Sequence, residues 1–89
     1  MRAILTVVGK DRPGIVYEVS KKLKEENVNI LDIDQTLMQE YFTMVVLCDF
    51  SKCKKDFTDM QAEFDALGEK ENLSIRLQNE EIFNAIYTV

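Results

Sequence analysis

Two stretches of this chain are apolar on both alternations of a strand, and nothing else in it limits the architecture as much. Arg2 to Val8 reads RAILTVV, with Ala3, Leu5 and Val7 on one face and Ile4 and Val8 around Thr6 on the other. Tyr41 to Asp49, YFTMVVLCD, is a second segment of the same kind. Strands with that pattern belong in the middle of a sheet, where both faces are at least partly covered. Asn72 to Gln78, NLSIRLQ, alternates instead. Leu73, Ile75 and Leu77 point in while Ser74, Arg76 and Gln78 point out, as in a half-exposed strand.

Between these segments the period changes. Gly9 is expected to end the first strand, and Pro13 suits the first helical position, where its missing N–H costs nothing. Val16, Val19 and Leu23 then recur at helical spacing, flanked by Ile15 and Tyr17, with Lys21, Lys22, Lys24, Glu25 and Glu26 opposite. Asn27 suits a left-handed close. Val28 to Gln39 reads as a strand whose apolar parity is even at Val28 and Ile30 but odd at Leu31, Ile33 and Leu37. That switch predicts a bulge or bend near Ile30–Asp32. A tight turn at Glu40 makes this strand an antiparallel hairpin with the next. After the loop FSKCKK, Asp56 is placed to cap a second helix, with Thr58 and Gln61 as an alternative capping box. Phe57, Met60, Phe64 and Leu67 form its apolar stripe, and Gly68 falls near its end. The tail sets Ile82, Phe83, Ile86 and Tyr87 on one helical side, behind a favourable start at Asn79, Glu80 and Glu81.

The order strand, helix, strand, strand, helix, strand, helix predicts an α+β, ferredoxin-like βαββαβ fold: a four-stranded antiparallel sheet, two helices on one face, and a short C-terminal helix. Right-handed crossovers place strands one and three in the middle. The other sheet face needs a cover, for which the terminal helix and a second subunit are the candidates. With 89 residues, a single domain over 1–89 is expected, its core at 1–78 and a helical extension at 79–89. Chains of this size bury only roughly 60–65% of their unfolded surface, so pairing with a second copy removes further apolar area from water.

Charge and composition exclude several classes of function. A net charge of −5, from 16 acidic and 11 basic residues, argues against nucleic acid and against a membrane surface, both of which call for clustered Lys and Arg. The glycine-rich basic pattern of an RNA-binding sheet is missing around Tyr41 and Phe42. No apolar run approaches the roughly 18–20 residues needed to span a bilayer, and the N-terminal run is too short for a signal peptide. The cytoplasm is the expected location. Cys48 and Cys53 fit no metal or redox spacing and read as reduced thiols, and the chain has no His. Asp32 and Asp34 share a strand face, but two ligands from one strand leave a cation incompletely held. They read as a charged edge. No metal or cofactor is expected, and no acid, base and nucleophile converge as catalysis requires.

One loop asks for more. Val7 to Val16 reads VVGKDRPGIV, which puts Gly9, Lys10, Asp11, Arg12, Pro13 and Gly14 between a strand and a helix. The first N–H groups of a helix lack internal acceptors, so Gly14 and Ile15 can offer amides to an anion, with the helix dipole adding to the attraction. Asp11 can cap the same amides or hold an ammonium group. Asn29, aimed by the bend, can donate and accept at once. If the helix runs antiparallel to the second strand, Asn29 and Pro13 are distant within one subunit and can meet only across a symmetric pair. Spacing alone favours a plain strand-to-helix turn, and GxxxxG without a following Lys-Ser or Lys-Thr is no P-loop.

Residues 1–78 resemble an ACT domain. The likeness lies in GKDRPGIV, the helix after it, and NVNILDIDQT opening strand two. It is greatest to small stand-alone ACT proteins, and it extends to the ACT segment of formyltetrahydrofolate deformylases and to glycine cleavage system repressors. The resemblance implies modules that pair side by side or back to back and bind amino acids or similar metabolites at the pair interface. By position, it implicates Asp11, Arg12, Pro13, Gly14, Ile15, Asn29, Ile30 and Leu31 in ligand binding. No catalytic or DNA-binding domain is expected alongside these residues. Three classes of function therefore stand: an amino-acid-binding regulatory homodimer, a ligand-free dimerisation or interaction subunit that modulates an enzyme or regulator, and a small enzyme.

Overall fold

The two doubly apolar segments pair with each other. The computed structural model describes residues 1–87, with side chains through Ala85. In it β1 (Arg2–Lys10) runs antiparallel to β3 (Tyr41–Asp49), in register from Arg2↔Asp49 to Lys10↔Tyr41. β2 (Asn29–Met38) flanks β3, and β4 (Ser74–Asn79) flanks β1. The sheet order is β2-β3-β1-β4, so strands one and three are central as expected. α1 (Ile15–Glu25), α2 (Phe57–Glu71) and α3 (Glu80–Tyr87) complete the βαββαβ fold and its C-terminal helix.

The predicted periodicities become one core. Ala3, Leu5, Val7, Met44, Val46, Cys48, Ile75 and Leu77 of the sheet meet Ile15, Val19 and Leu23 of α1 and Met60 and Phe64 of α2. Phe57 and Leu67 pack at its margin. α3 lies against β1 and β4. Asn79 Oδ1 accepts a hydrogen bond from the Glu81 amide at 2.8 Å, the favourable helix start expected there. The expectations for Ile86 and Tyr87 fall outside the described side chains. The bulge stands where the parity switch put it, between Ile30 and Asp32, and Asn27 is left-handed at φ 59°.

Some local expectations fail, each for a tertiary reason. Gly9 does not end β1; it pairs with Phe42 inside the strand. A Cβ on Gly9 would stand 2.5 Å from Leu73 Cδ2, so the glycine there makes room for packing rather than for a turn. β2 begins at Asn29, leaving Val28 buried before it. Asp56 occupies the N-cap of α2 but makes no side-chain cap bond, and no capping box forms at Gln61, whose Nε2 donates to the Leu77 carbonyl at 2.9 Å. That bond ties α2 to β4 instead.

Polar contacts on the helix side are just as organised. Lys22 of α1 and Lys55 of the loop both hydrogen-bond Glu63 of α2 and Glu26. Lys22, then Lys55, hold the Glu63 carboxyl down from an ordinary 4.5 to about 2. Burial pushes the Cys48 thiol up to about 12, and both cysteines are free. Among the described residues no helix is long and apolar enough to cross a membrane, and no cluster of metal-ligand side chains occurs.

Two outcomes follow from this packing. Gly68 lies inside α2, where a Cβ would come 2.6 Å from the Leu73 carbonyl oxygen. Gly68→Ala gains about 1 kcal/mol of helix propensity but overpacks against backbone, which costs about 1–3 kcal/mol. Denaturant unfolding should show net destabilisation, and a stabilised variant would refute the close contact. The depressed carboxyl of Glu63 stabilises the fold fully above about pH 4.5, and that contribution vanishes as pH falls to about 2. The stability difference between the parent and Glu63→Gln, followed by urea midpoint, should therefore close across that window and stay constant above it.

Candidate functional site

The loop between β1 and α1 is built from a Pro-Gly turn. Gly14 has φ 92° and ψ −4°, the third-residue geometry of a type II turn with Pro13 before it. Pro13 is therefore a turn residue and not the first helical one; α1 begins at Ile15. A side chain at Gly14 would be strained by its backbone alone. The Glu18 amide donates to the Gly14 carbonyl at 2.9 Å, closing the first turn of the helix. α1 has no side-chain cap. The amides of Ile15, Val16 and Tyr17 thus precede the first intrahelical donor, at the positive end of the helix dipole.

The loop's charged residues are placed unequally. Asp11 does not cap the helix. Its main-chain N–H donates to the Glu40 carbonyl at 2.8 Å, fastening the loop to the β2–β3 turn, and its side chain is exposed. Arg12 folds back onto the protein. Nη2 donates to Glu18 and to Glu71 at 3.1 Å each, and Nη1 to the Pro13 carbonyl at 3.2 Å. One guanidinium thus holds the loop to the first turn of α1 and the last of α2. Its charge is already matched by two carboxylates.

Asn29, Ile30 and Leu31 are elsewhere. β3 is antiparallel to both neighbours; Lys10 pairs with Tyr41 at one end, while Asn29 pairs with Asp49 at the other. The nine residues of β3 put about 27 Å between the two groups, at ~3.4 Å per residue. Within one chain, therefore, Asp11, Arg12, Pro13, Gly14 and Ile15 come together, and the three β2 residues form a separate cluster. All three are exposed, and Leu31 is the extra residue of the bulge.

Asn29 and Ile30 border a cleft of about 650 Å³, lined also by Ser20, Leu23, Lys24 and Lys52 among others. Asp49 sits on its rim. The Ser51 amide donates to that carboxylate at 2.9 Å and holds it below its usual range. The sequence reading missed this wall of α1. Its signal was the i, i+4, i+7 recurrence of Ser20, Lys24 and Asn27 on one helix face.

Comparison with known proteins gives three kinds of match. The ACT domain family model covers residues 2–78. A UPF0237 protein of Listeria monocytogenes is 52% identical over 87 residues, spanning 98% of both chains. An ACT domain protein from Streptococcus pneumoniae superposes with a TM-score of 0.83 at 49% identity, covering 98% of each chain. A formyltetrahydrofolate deformylase from Pseudomonas syringae shares the fold at TM-score 0.80 and 23% identity, over 88% of this chain and 27% of that one.

The role of Arg12 can be checked directly. Arg12→Met keeps the aliphatic stem but drops both ion pairs, and partly exposed pairs of this kind are each worth about 0.2–1 kcal/mol. The melting temperature should fall at low salt, and the deficit should shrink at high salt. A deficit independent of salt would mean that packing, not charge, fixes the loop.

Proposed function

We infer the function from one premise: the chain belongs to the ACT domain family, whose members are typically regulatory ligand-binding modules. It is a cytoplasmic, non-enzymatic regulatory module that binds an amino acid or similar small carboxylate as a homodimer. The observation that carries this reading is the start of α1. It offers uncapped amides beside a glycine turn, with the nearest cation already occupied by Glu18 and Glu71. A small carboxylate matches donors of this kind, and exposed Asp11 is placed to meet an ammonium group. Asn29, Ile30 and Leu31 serve from a second subunit, since within one chain they sit at the far end of the sheet.

A second reading is favoured by the exposed edge of β2: a ligand-free dimerising subunit that modulates an enzyme or regulator. One experiment separates the two. In a thermal-shift screen of the common amino acids, one of them should raise the melting temperature in proportion to log concentration, by the equivalent of about 2.7 kcal/mol at 100 times its Kd. Asp11→Ala and Gly14→Val should each abolish the rise. A flat response to every amino acid would leave the dimerising subunit and reject the sensor.

A further inference from the structure

We propose that the cleft beside the C-terminal half of α1 binds a small phosphate monoester within a single chain. Its phosphate sits between Lys24 and Lys52, and a hydrogen-bond donor of its body turns to Asp49. This site lies at the opposite end of α1 from the glycine loop and does not depend on the function proposed above.

Six of the eleven basic residues fall in two short runs, KKLK at Lys21–Lys24 and KCKK at Lys52–Lys55. The fold brings the runs together, one on the last turns of α1 and the other in the loop between β3 and α2. Lys22 and Lys55 join them, since both hydrogen-bond Glu26 and Glu63. That network takes up the two carboxylates shared by the runs. Among the described residues, Lys21, Lys24, Lys52 and Lys54 form no ion pair. A chain of net charge −5 thus keeps four ammonium groups without a carboxylate partner in one region, where a bound anion relieves their mutual repulsion.

Lys24 and Lys52 line the cleft from these two separate elements, with hydroxyls from Ser20 and Ser51 and an amide from Asn27. Its volume, about 650 Å³, suits a small molecule, and buried Leu23 and Val28 supply an apolar part of the wall. The donor set selects phosphate over carboxylate. Ammonium groups bind phosphate as point charges, whereas a planar carboxylate is better matched by an arginine fork, which the described lining lacks. The three strong acceptor oxygens of a phosphate monoester also match donors arriving from several directions. The end of α1 does not oppose the anion with open carbonyls. Those of Lys22, Leu23 and Lys24 accept from the amides of Glu26, Val28 and Asn27. Asp49 sets the rest of the ligand. Its carboxylate, fixed by the Ser51 amide, repels a polyanion such as a nucleic acid strand and accepts from an ammonium or hydroxyl group.

NMR titration of the full chain with O-phosphoethanolamine, ethyl phosphate and inorganic phosphate, at constant ionic strength, tests the site. O-phosphoethanolamine should saturate at one per chain. It should move the amide signals of Ser20, Lys24, Asn27, Ser51 and Lys52 and leave those of Ile15, Val16 and Tyr17 in place. It should bind more tightly than inorganic phosphate and than ethyl phosphate, which lacks the ammonium group, and Asp49→Ala should remove that advantage. Lys24→Gln and Lys52→Gln should each weaken it at least about tenfold, the loss expected for one charged hydrogen bond. Both variants should keep the parent's urea midpoint, since neither lysine is in an ion pair. Lys70→Gln removes the same charge beside Glu71, at the Arg12 end of the molecule, and should bind as the parent does. Equal binding of all three anions, signals moving only at Ile15–Tyr17, or an equal loss in Lys70→Gln would overturn the site. An amino-acid thermal shift with no response to O-phosphoethanolamine would reject this site and keep the sensor. The converse result would keep this site and reject the sensor.

Discussion

The direction of the first crossover governs everything that matters about this site. β1 and β2 are both antiparallel to β3, so they run parallel to each other, and α1 must traverse the length of the sheet between them. A helix of 11 residues is about 16 Å long at 1.5 Å per residue and cannot return to its starting end. The residues that open α1 and those that open β2 are consequently separated by the fold itself. No side-chain rearrangement joins them within one chain, and only a second copy, turned end for end, can.

What makes the loop chemically useful is the contest for its donors. Glu18 in the first turn of α1 and Asp11 just before it are both natural partners for the positive end of a helix. Neither takes that role. Glu18 is held by Arg12, which Glu71 also anchors, and Asp11 is fixed through its main chain to Glu40. Gly14 then supplies the left-handed residue that turns the chain into the helix. The acidic residues of this neighbourhood are thus occupied or turned away, which leaves the amides that open α1 to the carboxylate proposed for them.

The sequence made the large-scale features readable because they rest on periodicity. The doubly apolar RAILTVV and YFTMVVLCD could only be central strands, and the parity switch around Leu31 located the bulge. What stayed hidden depended on residues far apart in the chain. Gly9 looked like a strand end, but Leu73 requires the space a Cβ would fill. Pro13 looked like the first helical residue, because nothing local says that a type II turn competes for it. The pairing of Arg12 had no local signal; one of its partners, Glu71, is 59 residues away. The candidate site residues were proposed as one group, but within one chain they fall in two separate places, because the antiparallel pairing of β2 with β3 sets them at opposite ends of the sheet.

A composite site has a signature that no single-chain site reproduces. Gly14→Val spoils the loop half and Asn29→Ala spoils the β2 half, so each homodimer should fail to bind the amino acid that stabilises the parent protein. In an equimolar mixture, half the dimers are mixed and each carries one site with both halves intact. Calorimetric titration of that mixture should recover about one quarter of the parent's binding sites at unchanged affinity. No recovery on mixing, or full binding by either variant alone, would contradict a site shared between copies.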